Sequence, residues 1–179
     1  ETWSNQAGDP RERSQQQERW FHYIIDELVP RIYELCQYDQ KEEKGMLATG
    51  CSMGGFHAAN AFFRRPDIFD ALLAQSGIFE AEFFFHDYHD ELTAINSPVD
   101  YLMNLAPDHP NMERYKNSEI IFSCGRGAWE QDMESSLNKL ADIMNEKGIE
   151  AWVDFWGYDV AHDWYWWKKQ IIYFLQFIL

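Results

Sequence analysis

The stretch MLATGCSMGGFHAANAFFRRP, residues 46–66, joins a short apolar run, a glycine-rich turn and an alanine-rich segment that ends at Pro66. The apolar run predicts a buried parallel strand, and the segment after the turn predicts a helix that the proline terminates. Gly50 and Gly54 flank Ser52 with the spacing Gly-x-Ser-x-Gly. A strand, this motif and a helix in succession predict a sharp turn that exposes the serine hydroxyl. We expect small residues on both sides of it, because larger side chains would collide across the turn.

Ser52 is therefore a candidate nucleophile. A serine hydroxyl attacks a carbonyl carbon only when a neighbouring base takes its proton, so a histidine is required elsewhere in the chain. Of the six histidines, His162 is the best candidate because it follows the last predicted strand. Open α/β sheets place their sites at that carboxyl edge. The predicted helix points its first amides toward the same place, which makes the Met53 amide the first candidate oxyanion donor. The alternative interpretation is a purely structural glycine-rich loop.

The third group of such a site is a carboxylate that orients the imidazole, and in this fold it lies between the serine and the histidine in the chain. CGRGAWEQD, at the end of the third predicted strand, offers Glu130 and Asp132. We favour Glu130 and keep Asp132 as the second candidate. Asp159 is a rival by its closeness to His162, but we expect its carboxylate to hydrogen-bond the loop backbone.

Helical and apolar segments alternate on both sides of the motif. Over 13–36 the spacing predicts a helix, kinked or split at Pro30, with a core-facing stripe made of Trp20, Ile24, Leu28, Ile32 and Leu35. The remaining predicted elements are, in order, helix 57–65, strand 69–77, strand 118–127, helix 131–147, strand 150–156 and helix 164–179. This alternation predicts an α/β fold in which helices flank a mainly parallel sheet.

Residues 78–117 form an aromatic-rich excursion with three prolines, which we predict to be irregular. Its aromatic side chains could wall a substrate pocket or pack a small satellite core, and both interpretations stay open. Within it, HDYHDE, residues 86–91, has two histidines at His-x-x-His spacing. No third and fourth ligand follow in a known pattern, so we predict a solvated acidic loop and no metal site.

Composition excludes several classes of function. The chain has 179 residues, 46% of them hydrophobic, which suffices for one core and predicts a single domain over 1–179. Its formal net charge of -15 argues against nucleic acid as a partner, because phosphate binding needs a cationic face. No apolar run reaches the roughly 18 residues of a membrane span, so no membrane partner is expected. Three cysteines without a CxxC pair favour a reducing, cytoplasmic location.

The segments ATGCSMGGFHAANAFFRRPDIFDALLAQSG, CGRGAWE and AHDWYWWKKQI resemble the putative esterase family of α/β-hydrolases, which includes esterase D, feruloyl esterases, siderophore esterases and mycolyltransferases. By this resemblance Ser52 is the nucleophile, His162 is the base, and the acid follows the strand that contains IIFSCG. Trp164 matches a His-x-Trp run of the family and is expected to lie beside the histidine, against substrate.

The resemblance implies a serine hydrolase that cleaves carboxylic esters or thioesters of a small molecule through an acyl-enzyme. It requires no metal or organic cofactor. An acyltransferase of the same fold and a non-catalytic binding protein that keeps the serine turn are the alternatives.

The chain departs from the family at its beginning. Members of this fold carry several strands before the helix that leads to the serine, and a loop among those strands supplies the second oxyanion donor. The sequence that starts at Glu1 lacks them. We therefore expect the carboxyl-terminal portion of an α/β-hydrolase domain, whose early strands come from a longer protein, a companion chain or a second copy in a homo-oligomer. Alone, these residues are expected to be aggregation-prone and nearly inactive.

Overall fold

A computed structural model describes residues 8–38 and 45–178, and it contains all four predicted strands. They are β1 (Leu47–Cys51), β2 (Ala71–Gln75), β3 (Glu119–Cys124) and β4 (Trp152–Phe155). All neighbours pair in parallel, in the order β1-β2-β3-β4. The predicted α/β fold with a parallel sheet is confirmed. Among the described residues, β1 pairs with β2 alone and so forms one edge of the sheet.

Helices of very different lengths precede, connect and follow the strands. In chain order they are α1 (Pro10–His22), α2 (Val29–Tyr38), α3 (Met53–Arg64), α4 (Glu82–Phe85), α5 (Glu91–Ile95), α6 (Pro98–Asn104), α7 (Asn111–Lys116), α8 (Gln131–Glu146) and α9 (Trp164–Ile178). A π-helical segment, Tyr23–Leu28, joins α1 to α2.

Alternate residues of the central strands face opposite helical layers. Leu72 of β2 and Phe122 of β3 belong to the larger core, together with residues of α3 and α8. Leu73 and Ile121 point the other way and pack on Phe174 of α9. All five side chains are at most 2% exposed. The sheet is thus covered on both faces, which explains why its strands read as continuous apolar runs.

The first helical stretch differs from its prediction at Pro30. The chain is helical from Pro10 to Tyr38, but the α-helical hydrogen-bond pattern is interrupted by the π-helical segment, which ends before the proline. Pro30 itself lies in the first turn of α2. There its missing N–H costs little, and the wider π turn before it takes up the change in hydrogen-bond register.

The predicted core-facing stripe of this helical stretch is wrong by one residue. The buried apolar side chains are Phe21, Ile25 and Val29, whereas Trp20, Leu28, Ile32 and Leu35 are exposed and Ile24 is half-buried against the core. Both sets have helical spacing, so periodicity alone could not separate them. A buried contact fixes the rotation instead: Nη2 of Arg64 lies 2.8 Å from Oε1 of Glu18, and the same guanidinium stacks over the Phe21 ring.

Residues 78–117 are not irregular, since they contain the four short helices α4 to α7. Side-chain caps start two of them: Asp90 accepts a hydrogen bond from the Thr93 amide, and Ser97 accepts one from the Asp100 amide. Phe84 and Phe85 pack with Phe56 of α3 in a second small core. These two rings therefore match the satellite-core interpretation.

The acidic segment around Asp90 has structural contacts. The Asp90 carboxylate accepts hydrogen bonds from Tyr88 and Ser14 as well as capping α5. Across residues 8–38 and 45–178, no three histidine, cysteine or carboxylate side chains are grouped so that they could hold a metal ion. In the same ranges no helix is both long and apolar enough to cross a membrane.

Candidate active site

Ser52 lies on a strained turn between β1 and α3. Its backbone has φ 56° and ψ -123°, a region that residues with a Cβ rarely adopt. Its amide donates to the Gln75 carbonyl at 2.8 Å, which ties the turn to the end of β2. The turn is tight, because a Cβ added to Gly50 would stand 2.3 Å from the Gly54 carbonyl oxygen. A Cβ on Gly55 would stand 2.8 Å from the Gln75 carbonyl oxygen.

The expectation that both flanking glycines are required is wrong for Gly54. No described atom outside its own helix backbone and its chain neighbours lies within 4 Å of a Cβ built on that residue. Gly54 is the second residue of α3, so its Cβ would project from the helix surface rather than back across the turn. The steric requirement therefore falls on Gly50 and Gly55.

The amide of Met53 directly follows the serine turn and opens the next helix. Met53 is the first residue of α3. The first amides of a helix have no carbonyl partner within the helix, and the helix dipole makes that end attractive to negative charge.

His162 lies beside Ser52. Its Nε2 is 2.8 Å from Oγ of Ser52, within hydrogen-bond distance. Its amide donates to the Ala128 carbonyl at 2.9 Å, and its ring packs edge-on against Trp167 with the ring centroids 4.7 Å apart. The backbone hydrogen bond and the contact with Trp167 thus hold the imidazole in place.

Two loops at the carboxyl edge of the sheet fit together without a gap. The Gly127 amide donates to the Val160 carbonyl at 2.9 Å, and a Cβ on Gly125 would stand 2.2 Å from the same carbonyl oxygen. Gly125 and Gly127 precede Glu130, and Val160 precedes His162. The close approach of these loops, which only glycine permits, joins the segment that carries the carboxylate to the segment that carries the imidazole.

The Glu130 carboxylate is fully buried next to the imidazole. Its Oε2 lies 3.5 Å from Nδ1 of His162. Its Oε1 accepts a hydrogen bond from the Ser76 hydroxyl at 2.7 Å. Sγ of Cys124 lies 3.3 Å from Oε2 and 3.2 Å from the Gly125 carbonyl oxygen, so the thiol can donate to either. Burial and the nearby Glu130 charge raise the pKa of Cys124, and the thiol therefore stays protonated.

The other sequence candidates lie farther out. Asp132 is exposed on the first turn of α8, and Asp159 is exposed in the loop after β4. Trp164 begins α9, is 63% exposed, and packs edge-on against Trp167 with the ring centroids 5.3 Å apart. The structure thus brings Glu130, rather than either aspartate, to the imidazole.

A cavity of about 780 Å³ opens beside Ser52 and His162. One face of α9 lines it with Trp164, Trp167, Lys168 and Ile171, and the serine turn closes its other side. Most of the lining is apolar carbon, so a substrate group held there would be desolvated against tryptophan and aliphatic side chains.

Sequence reasoning missed Ser76, Cys124 and Trp167. Ser76 directly follows β2, and Cys124 is the last residue of β3, so both stand at the carboxyl edge of the sheet. The position of these residues at the ends of the strands, in AQSG and FSCG, is the sequence feature that could have identified them. The positive φ of 48° at Ser76 also marks that residue, but only the structure shows it.

A protein-family model described as "Putative esterase" matches residues 1–178. None of the curated proteins compared with the chain matches it significantly. Among solved structures, a ferulic acid esterase superposes with a TM-score of 0.65 and 21% identity, over 88% of this chain and 59% of that one. The S-formylglutathione hydrolase of Agrobacterium tumefaciens gives 0.68 and 14%, over 88% and 55%. S-formylglutathione hydrolase FrmB of Staphylococcus aureus gives 0.61 and 16%, over 88% and 61%.

The chain therefore spans between 55% and 61% of the length of these solved structures. At such low identities the likeness concerns the fold, which is the α/β-hydrolase fold. The family model covers nearly the whole sequence, and the strand, serine turn and helix that suggested the family are present in the structure. The chain belongs to the putative esterase family.

Proposed function

We propose that the protein is a serine esterase that cleaves carboxylic esters or thioesters through an acyl-enzyme. Ser52 is the nucleophile, His162 the general base and Glu130 the acid that orients it. The observation that carries the proposal is the 2.8 Å contact between Oγ of Ser52 and Nε2 of His162 on a strained turn. Such a contact lets the imidazole take the hydroxyl proton as the oxygen attacks.

In the first half of the reaction, Oγ of Ser52 bonds to the substrate carbonyl carbon while its proton passes to Nε2 of His162. The carbonyl oxygen becomes an oxyanion, which the Met53 amide stabilises. Collapse of the tetrahedral intermediate breaks the bond to the alcohol or thiol, which leaves with the proton from His162. Water then attacks the acyl-enzyme by the same route and releases the acid.

Glu130 acts through the imidazole. Nδ1 of His162 is buried and has no hydrogen-bond partner among the described residues, while Oε2 of Glu130 faces it at 3.5 Å. Hydrogen bonds of this kind are often long in the free enzyme and shorten when substrate binds. The carboxylate favours the tautomer with its proton on Nδ1, which leaves Nε2 free to accept, and stabilises the imidazolium that forms.

A fluorophosphonate probe tests the proposal, because it forms a covalent bond only with an activated serine. In the full-length protein we expect labelling at Ser52, loss of labelling in Ser52→Ala, and normal labelling in Ser118→Ala. Ser118 is a matched control because its hydroxyl only bonds the Arg114 carbonyl, away from the site. A folded full-length protein that the probe does not label would refute the proposal in favour of a binding protein.

The same preparation distinguishes hydrolysis from acyl transfer. An esterase releases mostly free acid from a p-nitrophenyl ester when a simple alcohol is added, whereas an acyltransferase forms mostly the new ester. Predominant transfer would keep Ser52, His162 and Glu130 in their roles but would replace water as the acyl acceptor.

A further inference from the structure

A buried hydrogen-bond chain reaches the Glu130 carboxylate from α9. Nε1 of Trp167 donates to Oγ of Ser76 at 3.1 Å, and Ser76 donates to Oε1 of Glu130 at 2.7 Å. Ser76 is 2% exposed, Glu130 is 0% and Trp167 is 7%. Water therefore has little access to any of these three polar groups.

The direction of this chain is fixed by chemistry. An indole N–H can only donate, so Trp167 occupies a lone pair of Ser76 and leaves the serine proton for Glu130. A carboxylate can only accept. Ser76 thus holds Oε1, and Oε2 is the oxygen left facing His162. The indole ring of the same Trp167 packs on the imidazole, so one side chain contacts the base and, through Ser76, supports the acid.

Ser76 is also placed by the backbone that shapes the serine turn. Its amide donates to the Ser123 carbonyl at 2.7 Å, and the residue before it, Gln75, accepts the hydrogen bond from the Ser52 amide. Its φ of 48° is unusual for a residue with a Cβ, and glycine would adopt this conformation more easily. A strained serine, where glycine would fit better, indicates that its hydroxyl has a use.

We infer that Ser76 and Trp167 are positioning residues, which orient the Glu130 carboxylate so that one oxygen is fixed and the other faces His162. The inference rests on the proposed function. It predicts that the serine hydroxyl affects turnover and its pH dependence without contacting substrate. Without that donor, the negative charge of the carboxylate is compensated less by hydrogen bonding and attracts the imidazolium of His162 more strongly.

The test compares Ser76→Ala with Ser76→Gly in the full-length protein. Both remove the hydroxyl, but glycine also relieves the backbone strain. We expect both to lower kcat by about ten- to a hundred-fold, the range for losing a hydrogen bond to a charged group. We also expect unchanged KM and an acid limb of the kcat/KM profile that moves to higher pH. Trp167→Phe should move the same limb in the same direction by less, since it keeps a ring against the imidazole.

Two controls separate this role from loss of stability. Ser97→Ala removes an equally buried serine hydroxyl, which caps α6 and takes no part in the chain from Trp167 to Glu130. This variant should leave kcat and the pH profile unchanged. Trp156→Phe removes an indole hydrogen bond to Asp154 and should do the same.

Recovery of wild-type kcat in Ser76→Gly would overturn the inference, because it would reduce Ser76 to a backbone role. An unmoved acid limb in both Ser76 variants would overturn it too. Failure of the proposed function shows separately, as absence of fluorophosphonate labelling in the unsubstituted protein, and would remove the basis of the inference.

Discussion

Replacing Glu130 by glutamine exchanges one carboxylate oxygen for an NH₂ group and so tests whether Glu130 is the acid that orients His162. The amide has nearly the shape of the carboxylate, so the packing of this fully buried side chain is kept. The serine proton of Ser76 is directed at Oε1, while Trp167 donates to the serine oxygen, so the amide oxygen is expected to take the place of Oε1. The amide nitrogen is then expected to face Nδ1 of His162.

That orientation reverses the tautomer of His162. An NH₂ group can only donate, so Nδ1 becomes an acceptor and the ring proton moves to Nε2, opposite Oγ of Ser52. Nε2 can no longer take the serine proton. We expect kcat to fall by about 10³- to 10⁴-fold, as when a triad acid is replaced by its amide. The loss corresponds to about 4–5.5 kcal/mol of activation free energy.

The assay is hydrolysis of p-nitrophenyl acetate by the full-length protein at neutral pH, with thermal unfolding as a check on folding. Asp132→Asn is the matched control, since Asp132 is exposed on α8 and should keep wild-type kcat. A Glu130→Gln enzyme within ten-fold of wild type, or a larger loss in Asp132→Asn, would show that the carboxylate has been assigned to the wrong residue.

Two further predictions concern stability. Gly50→Ala should lower Tm, because its methyl would collide with the Gly54 carbonyl and overpacking of this kind costs about 1–3 kcal/mol. Gly54→Ala should keep or raise Tm, because its Cβ would meet open space and alanine favours a helix more than glycine does. Equal losses of Tm in the two variants would contradict the described turn. Burial opposes ionisation of Glu18, but hydrogen bonds from Arg64 and Asn96 outweigh it and lower the pKa of Glu18. Because the folded pKa lies below the unfolded one, this stabilisation is complete above the unfolded value of about 4.3 and is lost as pH falls through the folded value. In urea titrations the stability gap between wild type and Glu18→Gln should therefore narrow as the pH falls below the unfolded value of about 4.3, and a gap that is constant with pH would argue against the ion pair.

The sheet and the pairing of Ser52 with His162 were predictable from the sequence because each depends on a local signal. Apolar runs buried on both faces read as strands, and a histidine after the last strand must reach the same sheet edge as a serine after the first. Glu130 followed from the same logic, although the sequence could not separate it from Asp132. Only the burial of one side chain and the exposure of the other distinguish them.

What the sequence could not predict depends on contacts between distant segments. The rotation of α1 depends on contacts with Arg64, which comes from another helix, so the helical spacing wrongly placed Trp20 in the core. The hydrogen bond from Trp167 to Ser76 joins residues 91 positions apart and leaves no pattern in either segment. Short capped helices such as α5 were missed because their caps lie within a proline-rich stretch that resembles a loop.

The fit of Gly125 and Gly127 against Val160 has a consequence for how the proposed active site could accept new substrates. Because a methyl group on either glycine would collide with the Val160 carbonyl, a substitution or a change of length in either loop should displace Glu130 relative to His162. Variation is less constrained on the opposite wall of the cavity, where Lys168 and Ile171 of α9 line the space but take no part in the hydrogen-bond chain from Trp167 to Glu130. Directed-evolution libraries limited to those two positions should keep the proposed chemistry while changing the preference among esters.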